Sequence, residues 1–61
     1  MPDVVGRSCQ DAIRTLEALD LRVEVDGGPV DRQFGNVKAQ DPAPDTEVQA
    51  QQQVRITCRW P

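Results

Sequence analysis

The chain contains no histidine, which removes every Ser-His and Cys-His pair in which a nucleophile draws on an adjacent base. It has two cysteines, Cys9 and Cys58. Without histidine they are too few for a tetrahedral zinc site, and their separation is nothing like a CxxC redox motif. Aromatic residues are scarce: one Phe, one Trp and no Tyr. The formal charge is −3, from seven Lys or Arg against ten Asp or Glu. An acidic chain so poor in aromatics lacks the basic surface that nucleic acid requires. No apolar run is long enough for a signal peptide or a membrane span, so direct insertion in a membrane is not expected. The chain is therefore expected to be cytoplasmic, or to be a domain excised from a larger exported protein. The carboxylates are scattered singly and read as solvated surface. Asp26-Gly27-Gly28 is too short, and wrongly placed, to cradle a phosphate before a helix. These absences point to a binding or architectural module that is not an enzyme and needs no cofactor.

One segment has clean helical periodicity. Between Ser8 and Leu19, the residues Cys9, Ala12, Ile13, Leu16 and Leu19 form a single apolar stripe. Ser8 stands where an N-cap belongs, with Asp11 three residues on as a shortened capping box. A helix of this length is marginal alone, so other parts of the chain must cover the stripe. Asp20 stands at the helix end, where glycine would be usual, and Asp accepts the left-handed conformation better than most residues.

Period-two alternation supplies the cover. Leu21, Val23 and Val25 alternate with Arg22, Glu24 and Asp26, and Val54, Ile56, Cys58 and Trp60 alternate with Arg55, Thr57 and Arg59. Val37 and Ala39, alternating with Lys38 and Gln40, form a weaker strand that Pro42 and Pro44 stop. Val4 and Val5 after Pro2 read as a short first strand, with Gly6 allowing the turn into the Ser8 cap. Asp26-Gly27-Gly28-Pro29 reads as a turn, residues 30–34 as irregular loop, and Gln49 to Gln53 as a hairpin connection. The expected fold is α+β: one amphipathic helix packed on a small sheet of about three strands, in β-α-β-β-β order with a short first strand, as one domain over residues 2–60. The expected core is Val5, Cys9, Ala12, Ile13, Leu16, Leu19, Leu21, Val23, Val25, Val37, Val54, Ile56 and Cys58, with Trp60 lidding it. A domain of 61 residues buries only about 60% of its unfolded surface, so such a core is thin.

Gln40-Asp41-Pro42-Ala43-Pro44 departs from generic patterning. With Pro2-Asp3-Val4-Val5-Gly6, Ser8, Ala12, Leu16, Leu21, the Gly35-x-Val37 pair and Thr46, it resembles the PASTA domain, the extracellular module of penicillin-binding proteins and bacterial Ser/Thr kinases. The resemblance runs from Pro2 to Cys58. It implies the same helix-on-sheet fold and an extracytoplasmic location within a larger exported protein. It also implies a role in recognising peptidoglycan or its muropeptide fragments. PASTA domains differ in whether they bind, so a second function stands beside this one: a structural spacer or a docking module for adjacent domains, with no small ligand. A monomer is expected in isolation. Where the family commonly has glycine, this chain has Asp20, Asp45 and Gln51. Asp suits turns; Gln51 implies a reshaped final hairpin.

Cys9 opens the helix stripe and Cys58 lies on the inward row of the last strand. They are either two small apolar core residues in contact or, in the oxidising location that the resemblance implies, a disulfide. Strand alternation places Arg22, Glu24, Lys38, Gln40, Arg55, Thr57 and Arg59 on the sheet face turned away from the helix. Counting Arg22, Lys38, Arg55 and Arg59 against Glu24, that face would be net +3, suited to an anionic partner such as a stem-peptide carboxylate. The plainer alternative is that outward strand positions are simply where long polar side chains belong.

Overall fold

The computed structural model describes all 61 residues. Helix α1 spans Cys9–Ala18, strand β1 Arg22–Asp26, helix α2 Pro29–Phe34, strand β2 Asn36–Asp41 and strand β3 Gln53–Arg59. The strands form one mixed sheet in the order β1-β3-β2, with β1 parallel and β2 antiparallel to the central β3. This is the expected small α+β fold, and β3, the strand with the strongest alternation, is the one paired on both sides.

Helix α1 begins where its cap dictates. The Ser8 hydroxyl oxygen accepts the Asp11 N–H at 3.2 Å, and the Arg7–Asp11 ion pair, one turn apart at 3.3 Å, lies on its outer face. Cys9, Ala12 and Leu16 are buried and join Val4, Leu21, Val37, Val54, Ile56 and Cys58 in one core. Ile13, Val23 and Val25 pack at its margin, half covered. The disulfide forms between Cys9 and Cys58, whose Cα atoms are 5.9 Å apart, so the first residue of α1 is tied to the far end of β3.

Three core expectations are corrected. Val4 is fully buried while Val5 is exposed, and the short first strand does not form. Val4 to Arg7 is instead a turn closed by the Arg7 N–H on the Val4 carbonyl, with Gly6 at φ +90° sending its own N–H to the Val37 carbonyl. Only a single bridge, Ser8 to Asn36, is sheet-like in this region. Leu19 is exposed because the helix has ended there: it is the C-cap, its N–H already turning back to the helix carbonyls. Trp60 does not lid the core; it is 55% exposed and leans on Phe34.

Helix α2 occupies the stretch expected to be irregular. Pro29 sits at its first position, where no N–H is missed, and the Asp31 carboxylate accepts the Gly28 N–H at 3.0 Å. It ends at Gly35, where a Cβ would lie 2.5 Å from the Arg59 carbonyl oxygen, so the close pass of this corner over β3 requires glycine.

Asp20, Asp45 and Gln51 are the three non-glycine residues with positive φ, at 63°, 67° and 63°. Gln51 therefore does not reshape the hairpin; it takes the left-handed conformation that glycine takes cheaply. That turn aims the Gln51 N–H at the Asp20 carbonyl, 2.6 Å away, and the Arg22 N–H then meets the Gln52 carbonyl, which starts the β1–β3 register. Asp bears this conformation more easily than Gln. Gln51→Gly is thus expected to stabilise the domain by about 0.5–1 kcal/mol, the relief of strain less the added unfolded-state entropy. A thermal melt should show a rise of about 2–8 °C, and an unchanged or lower Tm would contradict this account.

Candidate functional site

The open face of the sheet is built by register. Arg22, Glu24 and Asp26 of β1 lie opposite Gln53, Arg55 and Thr57 of β3. On the other side, Asn36, Ala39 and Asp41 of β2 lie opposite Arg59, Thr57 and Arg55. The β2 register shifts between Val37 and Ala39, leaving Lys38 as the extra residue of a bulge with no partner on β3. One inserted residue exchanges the two faces for everything after it. Gln40, expected to point outward, therefore lies opposite the buried Ile56, and Asp41 takes an outward place opposite Arg55.

Gln40 has structural work on the inner side. Its Oε1 accepts the Val4 N–H at 2.8 Å, and its Nε2 donates to the Pro2 carbonyl at 2.9 Å and the Pro42 carbonyl at 3.1 Å. One half-buried amide thus holds the N-terminal segment to the start of the proline-rich loop.

The four cations expected on the open face are brought only partly together. Arg22, Arg55 and Arg59 share it, whereas Lys38 is exposed at the bulge. Arg55 is paired with Glu24 at 3.1 Å, and Gln53 donates to the same carboxylate at 2.6 Å. Arg59 reaches the Asp26 carboxylate at 4.0 Å and donates to the Asp26 and Cys58 carbonyls. Arg22 and Lys38 have no carboxylate partner. With Asp26 and Asp41 counted beside Glu24 and Lys38 set aside at the bulge, three cations face three anions, and the face is neutral rather than +3. The pairs are exposed, so each contributes little to stability, about 0–1 kcal/mol, and an arriving anion can compete for them.

A second cluster, in the stretch expected to be irregular, lies at the end of the sheet. The Asp31 carboxylate accepts the Gly28 N–H and the Trp60 N–H, the latter at 2.7 Å, joining the start of α2 to the residue after β3. These two backbone donors, the Gly28 bond first, hold its pKa below the ordinary carboxylate range, and Arg59 adds to the effect. Pro29 at a first helical position, an acid two residues later and Gly35 beyond were the signals that could have located α2.

No cavity interrupts the surface, and no group of His, Cys, Asp and Glu side chains is placed to hold a metal ion. No helix is long and apolar enough to cross a membrane. What the exposed faces can do is offer charged and hydrogen-bonding side chains to a ligand lying on the surface.

A family model described as the PASTA domain matches residues 1–58. No curated protein and no solved structure matches the chain. The PASTA family is one of non-catalytic domains, associated with peptidoglycan in penicillin-binding proteins and Ser/Thr kinases and typically outside the cytoplasmic membrane. With the match extending over nearly the whole chain, and with the helix, mixed sheet and turns in place, this chain belongs to the PASTA domain family.

Proposed function

We propose that the domain recognises peptidoglycan or its soluble muropeptide fragments weakly, through the open face of the sheet, as an extracytoplasmic module of a larger exported protein of the penicillin-binding or Ser/Thr kinase kind. Arg22, Lys38, Arg55 and Arg59 are the residues assigned to the ligand. The observation that carries the reading is the placing of Arg22, Arg55 and Arg59 on one exposed face, where a guanidinium can hold a stem-peptide carboxylate bidentately. Glu24 and Asp26 already compete for two of these cations, so affinity is weak, on the order of 0.1–1 mM. A specific observation also favours a second reading, a spacer or docking module for neighbouring domains: the face neutralises itself and has no cavity.

One variant separates the two. Glu24→Gln removes the partner of Arg55 without touching the core. Under the binding reading, an NMR titration with muropeptides shifts the resonances of Arg22, Lys38, Arg55 and Arg59, fades in high salt, and tightens by up to about fivefold in the variant. No shifts at millimolar ligand in either protein would leave the spacer reading standing.

A further inference from the structure

The thin core leaves an apolar surface uncovered at one end of the sheet. Val30 and Phe34 stand one turn apart on α2, and Phe34 packs against Trp60, with ring centroids 5.8 Å apart and planes inclined at 50°. These three side chains are each a little over half exposed, at 53%, 54% and 55%. They include the chain's only two aromatic residues. Neither ring belongs to the core, and the outer half of each is open to solvent.

A carboxylate stands beside the pair. Gln10 reaches over from α1 to donate to the Arg32 carbonyl at 3.2 Å. The Asp31 carboxylate, tied by the Gly28 and Trp60 N–H groups, keeps further lone pairs for hydroxyl donors. The backbone bond from Trp60 to Asp31 also fixes where the indole begins, so the inclined rings sit on a tethered base.

Size decides the class of partner. A covered aromatic side chain buries about 150–250 Å². Three residues half covered already offer on the order of 300 Å², within the range of a functional patch on a monomer. A stable protein interface needs about 800 Å² on each partner. The patch is too small for a protein partner and has no cleft for a compact apolar molecule. It matches a flat, amphipathic ligand with C–H groups on one face and hydroxyls at its rim.

We propose that Phe34 and Trp60 form a sugar-stacking platform that takes a neutral pyranose ring, with the Asp31 carboxylate beside them accepting hydrogen bonds from its hydroxyls. This site is built on other residues than the carboxylate-binding face and does not depend on it. Only the choice of a β-linked hexosamine chain as probe rests on the peptidoglycan reading.

The probe is chitotetraose, which carries neither peptide nor charge. Titrated into the oxidised domain, it is expected to change the emission of Trp60 and to shift the Trp60 indole, Phe34 and Asp31 resonances in the millimolar range. Because the ligand is neutral, affinity should change less than about twofold between low and high salt. Trp60→Ala and Phe34→Ala should each weaken binding about tenfold. Both variants should keep the circular dichroism of the parent, since neither ring belongs to the core. Glu24→Gln should leave chitotetraose binding unchanged, so failure of this proposal and failure of the carboxylate reading are seen separately. Absence of any response at about 10 mM sugar, well above weak lectin-like affinities, overturns the platform. So does a response that survives in both variants. Concentration-dependent broadening at Trp60 without sugar would also overturn it, making the patch a contact between copies of the chain.

Discussion

Reduction of the Cys9–Cys58 disulfide is expected to cost about 4 kcal/mol, which is comparable to the whole stability of a domain of this size. The figure follows from the sequence separation of 49, since the bridge closes a loop of that length in the unfolded chain and removes its conformational freedom. At about 0.05–0.15 kcal/mol per residue, 61 residues hold roughly 3–9 kcal/mol in total. The position of the bridge reinforces the effect. It joins the first residue of α1 to β3, so the helix stripe cannot leave the sheet at that end without unfolding the central strand. A thermal melt with and without reductant should show Tm falling by about 15–30 °C, or no native baseline at all in the reduced protein. The Cys9→Ala, Cys58→Ala double variant should behave alike, keeping the two positions small and apolar. Mass spectrometry of unreduced, alkylated protein should find no free thiol. Two alkylated cysteines in folded material, or a reduced protein that melts within a few degrees of the oxidised one, would contradict this account.

Elements that depend on local pattern were legible in the sequence, and those that depend on pairing across the chain were not. The stripe of Cys9, Ala12 and Leu16 located α1 because helical spacing is a property of one segment. The alternation of Val54, Ile56 and Cys58 likewise located β3 and its inward row. Alternation gives the face of a residue but not its neighbour: Glu24 lies 31 residues from Arg55, and only the parallel register sets them opposite each other. The bulge at Lys38 is more opaque, because nothing in Asn36 to Asp41 marks an inserted residue, yet it moves Gln40 inward and Asp41 outward. The open face is less cationic than alternation alone implies for that reason, and because Asp26 shares it with Glu24. Helix α2 was hidden by its length, six residues being too few for periodicity to show. Val4 and Val5 illustrate a third limit. Both are β-branched and adjacent, and a turn at Gly6 rather than any propensity selects which one is buried.

Leu16→Ala carries the second large effect. Leu16 is completely buried and is the largest side chain that α1 contributes to the core, between the Ala12 turn and the helix end. Its backbone carbonyl also receives the N–H of Leu19 and of Leu21, so the residue anchors the exit of the helix as well as its face. Truncation removes the apolar contacts and leaves a cavity that a disulfide-tied helix cannot collapse to fill. Such substitutions cost about 2–5 kcal/mol, and the lack of slack in this core places the variant toward the upper part of that range. Neighbouring positions predict a contrast. Leu19→Ala, at an exposed C-cap, removes no core contact and should shift stability by less than about 0.5 kcal/mol. Measured side by side in urea, Leu16→Ala should lower the midpoint strongly, or leave no folded baseline, while Leu19→Ala stays near the parent. If the two variants melt together, the helix buries a different face from the one assigned to it. The bridge closes the same core that Leu16 fills, so the two losses are not independent. Leu16→Ala in the reduced chain should be unfolded under all conditions in which either single change leaves native protein.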